Sequence, residues 1–333
     1  MKSAPVRDPT RPEVIEEAGR IIRQGGLVAF PTETVYGLGA DACNPRAVAL
    51  IFEAKQRPAF DPLIVHVLDS VNAAKYGNLA GDHAQKLMSK FWPGPLTIVV
   101  DKTALVPSIV TAGLDTVAIR VPSHPVALSL LRCTGRPIAA PSANLFGYVS
   151  PTEARHVAAQ LGHRVDLILD GGPCSVGIES TIVSLTGGRP SILRAGGIAP
   201  DQLEAVIGPI AWATAPVSRP IAPGQLTRHY ATHTPLQIVP RGQEVRARPG
   251  ERIGLISLTE PEGSAGFAAV EVLSEGGDLR EAAANFFAAL QRLDGLGLDR
   301  LVAWPVPEHD LGIAIMDRLR RCAVADPGRG SPD

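Results

Sequence analysis

Phe30-Pro31-Thr32-Glu33-Thr34-Val35-Tyr36-Gly37-Leu38-Gly39-Ala40-Asp41-Ala42 is the stretch on which the fold turns. Gly37, Gly39 and Ala42 have the spacing of a dinucleotide-binding turn, G-x-G-x-x-A. That turn works where it joins a strand directly to a helix, because the helix N-terminus must meet the pyrophosphate. Here six residues, Pro31 among them, separate Gly37 from the short apolar strand Leu27 to Phe30. A nicotinamide site is therefore disfavoured. Two readings remain: a loop whose Thr32 and Thr34 hydroxyls and open backbone groups bind a small polar ligand, or a glycine-rich turn beside a core strand.

Working outward, Val14, Ile15, Ala18, Ile21 and Ile22 space a helix over Glu13 to Gln24 that stops at Gly25-Gly26. Asn44-Pro45 reads as an N-cap with proline at the first helical position, opening a helix that runs to Lys55. Apolar runs at Leu63 to Val67, Leu96 to Val100, Val117 to Val121, Leu167 to Leu169, Thr181 to Leu185 and Ile192 to Leu193 predict strands. Helical stretches near 80 to 91, 125 to 132 and 151 to 160 fall between them, which is the order of a layered α/β domain. Prolines 216, 220, 223 and 235 break the chain from 211 to 235, which reads as an interdomain linker. Beyond it, strands near 236 to 239, 252 to 258, 268 to 273 and 301 to 304 alternate with helices over 279 to 293 and 312 to 322, a second and smaller α/β domain. The expected division is thus a catalytic domain over 11 to 210, the linker 211 to 235, a C-terminal domain over 236 to 325 and a flexible tail over 326 to 333.

The 333 residues carry 32 Lys and Arg against 33 Asp and Glu, a net charge of −1, which argues against a protein that holds nucleic acid by bulk positive charge. A hydrophobic share of 45% excludes wholesale disorder, and 33 Gly with 30 Pro, without a repeating period, excludes collagen and predicts many tight turns. The four cysteines, at 43, 133, 174 and 322, form no C-x-x-C pair, so reduced thiols are expected. The start of the chain has charges and prolines where a signal peptide needs an apolar stretch, and no apolar run is long enough to cross a bilayer. A cytoplasmic protein without a membrane partner is the expectation.

Several polar residues sit where apolar runs end. Lys55 and Arg57 close a helix, where they either complement its negative end or clamp a polyphosphate. His66 points away from the face that Val65 and Val67 share, as a structural donor or a ligand group. Thr116, Ala118 and Arg120 share one strand face; Arg120 either meets solvent or binds a carboxylate in bidentate fashion. Ser142 and Asn144 follow Pro141 at the carboxyl end of a buried strand, where α/β sheets bind ligands. Ser150-Pro151-Thr152 reads as another N-cap, with free N–H groups able to meet phosphate. His229 and His233 lack a third ligand, so a metal site is not expected there. The residues alone describe an α/β protein with a cleft for an anionic, phosphorylated ligand.

The ordered set Pro31-Thr32-Glu33-Thr34-Val35-Tyr36-Gly37-Leu38, Lys55-Gln56-Arg57-Pro58, Pro62-Leu63-Ile64-Val65-His66, Phe91-Trp92-Pro93-Gly94-Pro95-Leu96-Thr97, Ala118-Ile119-Arg120-Val121-Pro122, Pro141-Ser142-Ala143-Asn144, Ser150-Pro151-Thr152, Glu179-Ser180-Thr181 and Leu193-Arg194-Ala195-Gly196 resembles the L-threonylcarbamoyladenylate synthases. It resembles their two-domain branch, in which a YrdC-type domain precedes a Sua-type domain. Pro223-Gly224, His229-Tyr230-Ala231 and Ala314 to Leu319 extend the likeness to the second half. The resemblance implies a twisted mixed sheet with flanking helices, followed by a smaller Rossmann-like α/β domain. It implies that L-threonine, bicarbonate and ATP give threonylcarbamoyl-AMP and pyrophosphate, with Mg²⁺, and that the product feeds the machinery that transfers the threonylcarbamoyl group to tRNA.

By matching motif, Thr34, His66, Arg120, Ala140 and Ser180 are implied for threonine. Arg57, Asp61, Thr116, Ser142, Asn144, Ser150, Arg194 and Tyr230 are implied for ATP, and Lys55, Arg57 and Arg120 for catalysis; because a carbamate hydrolyses readily, the linker carrying Tyr230 is expected to act as a lid that excludes water. Two positions depart from the family: Asp61 stands where Asn or Lys is common, and Gln225-Leu226-Thr227 replaces Met-Lys-Tyr-like residues. The competing class is an RNA-binding module of the same machinery, with weak RNA contact and no adenylation activity of its own; a third is a dinucleotide-dependent oxidoreductase.

Overall fold

The computed structural model describes residues 3–213, 220–224, 229–261 and 266–323. It divides into two compact units, Met1–Phe146 with Ser150–Leu226 and Gly147–Val149 with Thr227–Asp333. The tail from Asp326 and the Gln225-Leu226-Thr227 departure lie outside the described residues.

The first unit is built on one mixed sheet. Its strands run in the order Val6–Arg7, Leu167–Leu169, Val28–Phe30, Gly37–Asp41, Ile138–Ala139, Ile64–His66, Thr116–Arg120, Leu96–Asp101, Thr181–Ser184, Ser191–Arg194 and Ala211–Trp212. Gly37 and Gly39 lie inside a strand that pairs antiparallel with Val28–Phe30, so the glycine spacing belongs to a sheet and the dinucleotide-turn reading falls. Both faces are covered. On one, helices Pro45–Lys55, Asp82–Phe91 and Ala154–Leu161 bury Val48, Ile51, Leu87 and Val157 against Leu38, Val65, Ile98, Val117 and Ile119. On the other, helices Pro12–Arg23 and Pro125–Thr134 bury Ala18, Ile22 and Leu130 against Val28, Phe30 and Ile138. A smaller cluster, Ile64, Val99, Ala118 and Ile182, takes the alternate side chains of the central strands. His66 and Arg120 follow Ile64 and Ala118 by two residues, so period-two geometry sends them to the face of that smaller cluster.

Local chemistry sets these boundaries. Asn44 accepts from the backbone N–H groups of Arg46 and Ala47, so the expected cap is present, and the helix ends at left-handed Gln56. Ser150 does not cap the helix after it. That helix begins at Ala154, with Glu153 at the cap position, and the Ser150 hydroxyl turns to Glu179 instead. The second unit has a parallel sheet ordered Leu236–Ile238, Arg300–Ala303, Ile253–Ser257 and Ala269–Val272, with helices Leu279–Asp294 and Gly312–Cys322. Among the described residues no helix is long and apolar enough to cross a membrane.

Candidate active site

Two neighbouring parallel strands carry the first cluster: His66 and Arg120 are register partners. The loop from Pro31 to Val35 reaches Arg120 with consecutive residues. Thr34 Oγ1 accepts from Nη1 at 2.9 Å, and Glu33 Oε1 lies 2.7 Å from Nη2. The Arg120 Nε–H donates to the Gly94 carbonyl at 3.2 Å, and the Ser123 N–H donates to Glu33 Oε2 at 3.1 Å. Thr32 and Thr34 share a hydroxyl hydrogen bond of 2.9 Å, and Thr32 donates onward to the Val35 carbonyl, which stiffens the loop. Burial and the Arg120 charge push the His66 imidazole down to about 3, so it is neutral, and its Nδ1 is buried without a hydrogen-bond partner. Ala140 lies at the end of the adjoining strand, its N–H donating to the Ile64 carbonyl. Burial pushes the Glu33 carboxyl up, but Arg120 and two backbone N–H groups outweigh it and hold the group below the usual carboxylate range.

A second cluster holds the remaining cations. Arg57 Nη2 meets Asp61 Oδ2 at 2.9 Å, both side chains buried, while Nε and Nη2 donate to the carbonyls of Asp61 and Pro62. Lys55 Nζ donates to the carbonyls of Ser142 and Asn144 at 2.6 and 2.5 Å. Burial pushes the Lys55 ammonium well below its ordinary range, the Arg57 charge adding to this and Asp61 opposing it. Burial likewise raises the Asp61 carboxyl, against Arg57, Lys55 and Arg194.

Ser180 joins the clusters. Its hydroxyl shares 2.7 Å with Thr97, and its carbonyl accepts from Arg194 Nη2 at 2.9 Å. Next to it, Glu179 Oε1 accepts from the Ser150 hydroxyl at 2.6 Å. Gly196 is required for this approach, because a Cβ there would overlap the backbone of Glu179, Ser180 and Thr181.

The contacts thus join Thr34 and Glu33 to Arg120, the register partner of His66, Lys55 to Ser142 and Asn144 and Arg57 to Asp61, Ser150 to Glu179, and Ser180 to Arg194, whose charge also acts on Asp61. Thr116 starts the strand that carries Arg120 and is half-buried. Tyr230 stands apart from these residues in assignment: it belongs to the second unit, where its ring packs on Phe287 at 5.3 Å and under Arg318 at 5.5 Å. Its φ of 66° is unusual for a tyrosine. Sequence reading gave no role to Glu33, Thr97 or Glu179, which complete the network. A carboxylate adjoining Thr34, with a buried arginine sought elsewhere, was the available signal for Glu33.

Among the described residues no group of three His, Cys, Asp or Glu could hold a metal ion. The Asp61 carboxylate is committed to Arg57 and faced by Lys55 and Arg194, so the cationic cluster does not fit a protein-held Mg²⁺. What these groups can do is hold a carboxylate at Arg120 beside a polyanion at Arg57 and Arg194.

Residues 20–196 match the family of Sua5, YciO and YrdC, described as telomere recombination. Residues 198–324 match the threonylcarbamoyl-AMP synthase C-terminal domain. The chain is similar to the threonylcarbamoyl-AMP synthase of Pyrococcus abyssi, 43% identical over 93% of this chain and 94% of that one. It is similar to that of Bacillus subtilis, 43% identical over 93% of this chain and 92% of its relative. Among solved structures it resembles P. abyssi Sua5 complexed with L-threonine, with a TM-score of 0.88 and 40% identity over 97% of this chain and 98% of that one.

Proposed function

The chain belongs to the threonylcarbamoyl-AMP synthase family, and from that membership we propose how its two clusters divide the reaction. The enzyme is a nucleotidyltransferase that makes threonylcarbamoyl-AMP and pyrophosphate from L-threonine, bicarbonate and ATP, for modification of tRNA. Relatives of this name along nearly the full chain favour that activity over an RNA-binding module without adenylation.

In our reading Arg120 receives the threonine carboxylate, with Thr34, His66, Ala140 and Ser180 around the rest of the amino acid. Once its amine is unprotonated, threonine combines with bicarbonate, losing water, to give a carbamate. A carbamate oxygen then attacks the α-phosphorus of ATP, and the bond to pyrophosphate breaks. The carbamate is itself an anionic nucleophile, so no Ser-His-Asp triad is needed; positioning and charge neutralisation suffice. Arg57 and Arg194 meet the phosphates, where negative charge grows as pyrophosphate leaves. Lys55 holds Ser142 and Asn144 in place for the nucleotide, near Thr116 and Ser150. Mg²⁺ enters as the counter-ion of ATP.

The observation that carries this reading is the buried Arg120 guanidinium, register partner of His66 on the neighbouring strand and fixed in place by Thr34, Glu33 and the Gly94 carbonyl. The test is pyrophosphate release from ATP with L-threonine and bicarbonate omitted in turn. Release that needs both, and that Arg120→Ala abolishes, supports the reading; release that needs neither overturns it. The product's consumer is an enzyme that transfers the threonylcarbamoyl group to tRNA adenosine. Four free cysteines agree with a reducing cytoplasm.

A further inference from the structure

Glu33 and Arg120 are both under a tenth exposed. Thr34 accepts from one terminal nitrogen of the guanidinium and Gly94 from Nε, while Glu33 stands in an ion pair 2.7 Å from the other terminal nitrogen. A guanidinium has five N–H bonds and these two hydrogen bonds use two of them, so at least one remains on each terminal nitrogen for a ligand even with Glu33 alongside. A pair of that kind suits a carboxylate.

Among the described residues, the titratable groups shown to interact with Glu33 are few. They are Arg120, the imidazoles of His66 and His124, and the Cys174 thiol. Burial lowers both imidazoles, and burial with the Glu33 charge raises the thiol, so these three are uncharged near neutral pH. With Glu33 ionised the cluster is formally neutral; without it, the cluster carries one positive charge.

L-Threonine is a zwitterion with no net charge, whereas the same molecule without its amine is an anion. An unbalanced charge costs far more in a buried site than in water. At the binding step, before the amine gives up its proton, a neutral cluster therefore admits the zwitterion and resists the anion, and a bare Arg120 would reverse that order; the negative charge that develops later, on the carbamate, falls to the cations of the second cluster. We propose that Glu33 is a specificity-determining residue, keeping the carboxylate site electroneutral so that it selects amino acids over carboxylic acids that lack the amine. This rests on the reading that Arg120 receives the threonine carboxylate.

The test uses the full chain and 3-hydroxybutyrate, which is threonine without its amine, as an inhibitor of threonine-dependent pyrophosphate release. In the unaltered enzyme it should inhibit only at concentrations about a hundredfold above the threonine KM, the equivalent of two tenfold steps in affinity. Glu33→Gln keeps an acceptor for the Ser123 N–H but removes the charge. It should raise the threonine KM about tenfold and strengthen 3-hydroxybutyrate inhibition about tenfold, one step each. Glu33→Asp keeps the charge and should keep the preference, with a raised threonine KM. A merely structural glutamate would weaken both ligands together. The proposal is overturned if 3-hydroxybutyrate and threonine bind the unaltered enzyme within a few-fold of each other, a result independent of any variant's folding, or if Glu33→Gln leaves their ratio unchanged. If Arg120→Lys leaves the threonine KM unchanged, the carboxylate reading beneath it fails instead.

Discussion

Lys55 Nζ lies 2.6 Å from the carbonyl oxygen of Ser142, across 87 residues of sequence, and 2.5 Å from that of Asn144. The side chain is buried and closes the chain that follows the strand Ile138–Ala139 onto the helix Pro45–Lys55. Lys55→Met keeps the length and removes both donors, leaving two carbonyls to find new partners. Each such bond contributes about 1.5 kcal/mol or more, so thermal melting should drop by several degrees and the ATP KM should rise. Loss of kcat with unchanged melting would instead place Lys55 on the phosphates.

That contact joins segments far apart in the chain, which no local pattern records. Strands and helices were legible because period-two alternation, the Asn44-Pro45 cap and the apolar spacing from Leu279 to Leu293 are local signals. Arg120 and His66 were legible as candidates because alternation sets them off the main apolar face. Partners were not legible. Glu33 to Arg120, Ser150 to Glu179 and Lys55 to Ser142 all join distant segments, and nothing in the local pattern records where a long side chain ends. Ser150 followed by proline looked like a cap, and only the distant Glu179 carboxylate explains why its hydroxyl faces elsewhere.

Asp61→Asn tests the departure at that position. The pair with Arg57 is buried, and Lys55 and Arg194 also face the carboxylate, so a negative charge sits where the triphosphate is proposed to bind. The amide keeps an acceptor for Arg57 and removes the repulsion. Loss of a Coulomb repulsion at partly screened range predicts an ATP KM lower by about three- to tenfold, with the threonine KM unchanged. A raised ATP KM would mean that Asp61 contacts the nucleotide or its cation directly.

Gly196→Ala should be among the most damaging small substitutions in the first unit. The added methyl meets backbone atoms of Glu179, Ser180 and Thr181, which cannot rotate away as a side chain could. Overpacking against backbone should cost about 3 kcal/mol or more. Gly276→Ala, where a Cβ meets nothing within 4 Å, is the control and should stay within about 0.5 kcal/mol. Chemical denaturation midpoints of the two variants give the comparison, and equal midpoints would contradict the packing at Gly196.

His66 should govern how stability responds to mild acid. Its ordinary value is 6.5 and burial with Arg120 pushes it down to about 3, so between these limits the unfolded chain binds a proton that the folded chain does not. Stability then rises with pH, by about 1.4 kcal/mol per unit for a single such group. The contribution is complete above pH 6.5 and is lost as the pH falls toward about 3. His124, lowered by burial, acts with the same sign, whereas Glu33, held below its ordinary 4.5, begins to lose stability only below that value. Urea midpoints measured from about pH 7.5 to about pH 5 should therefore fall more steeply for the unaltered chain than for His66→Asn, which cannot titrate. Parallel slopes would mean that folded His66 takes up its proton as readily as the unfolded residue does, and the neutral imidazole beside Arg120 would have to be abandoned.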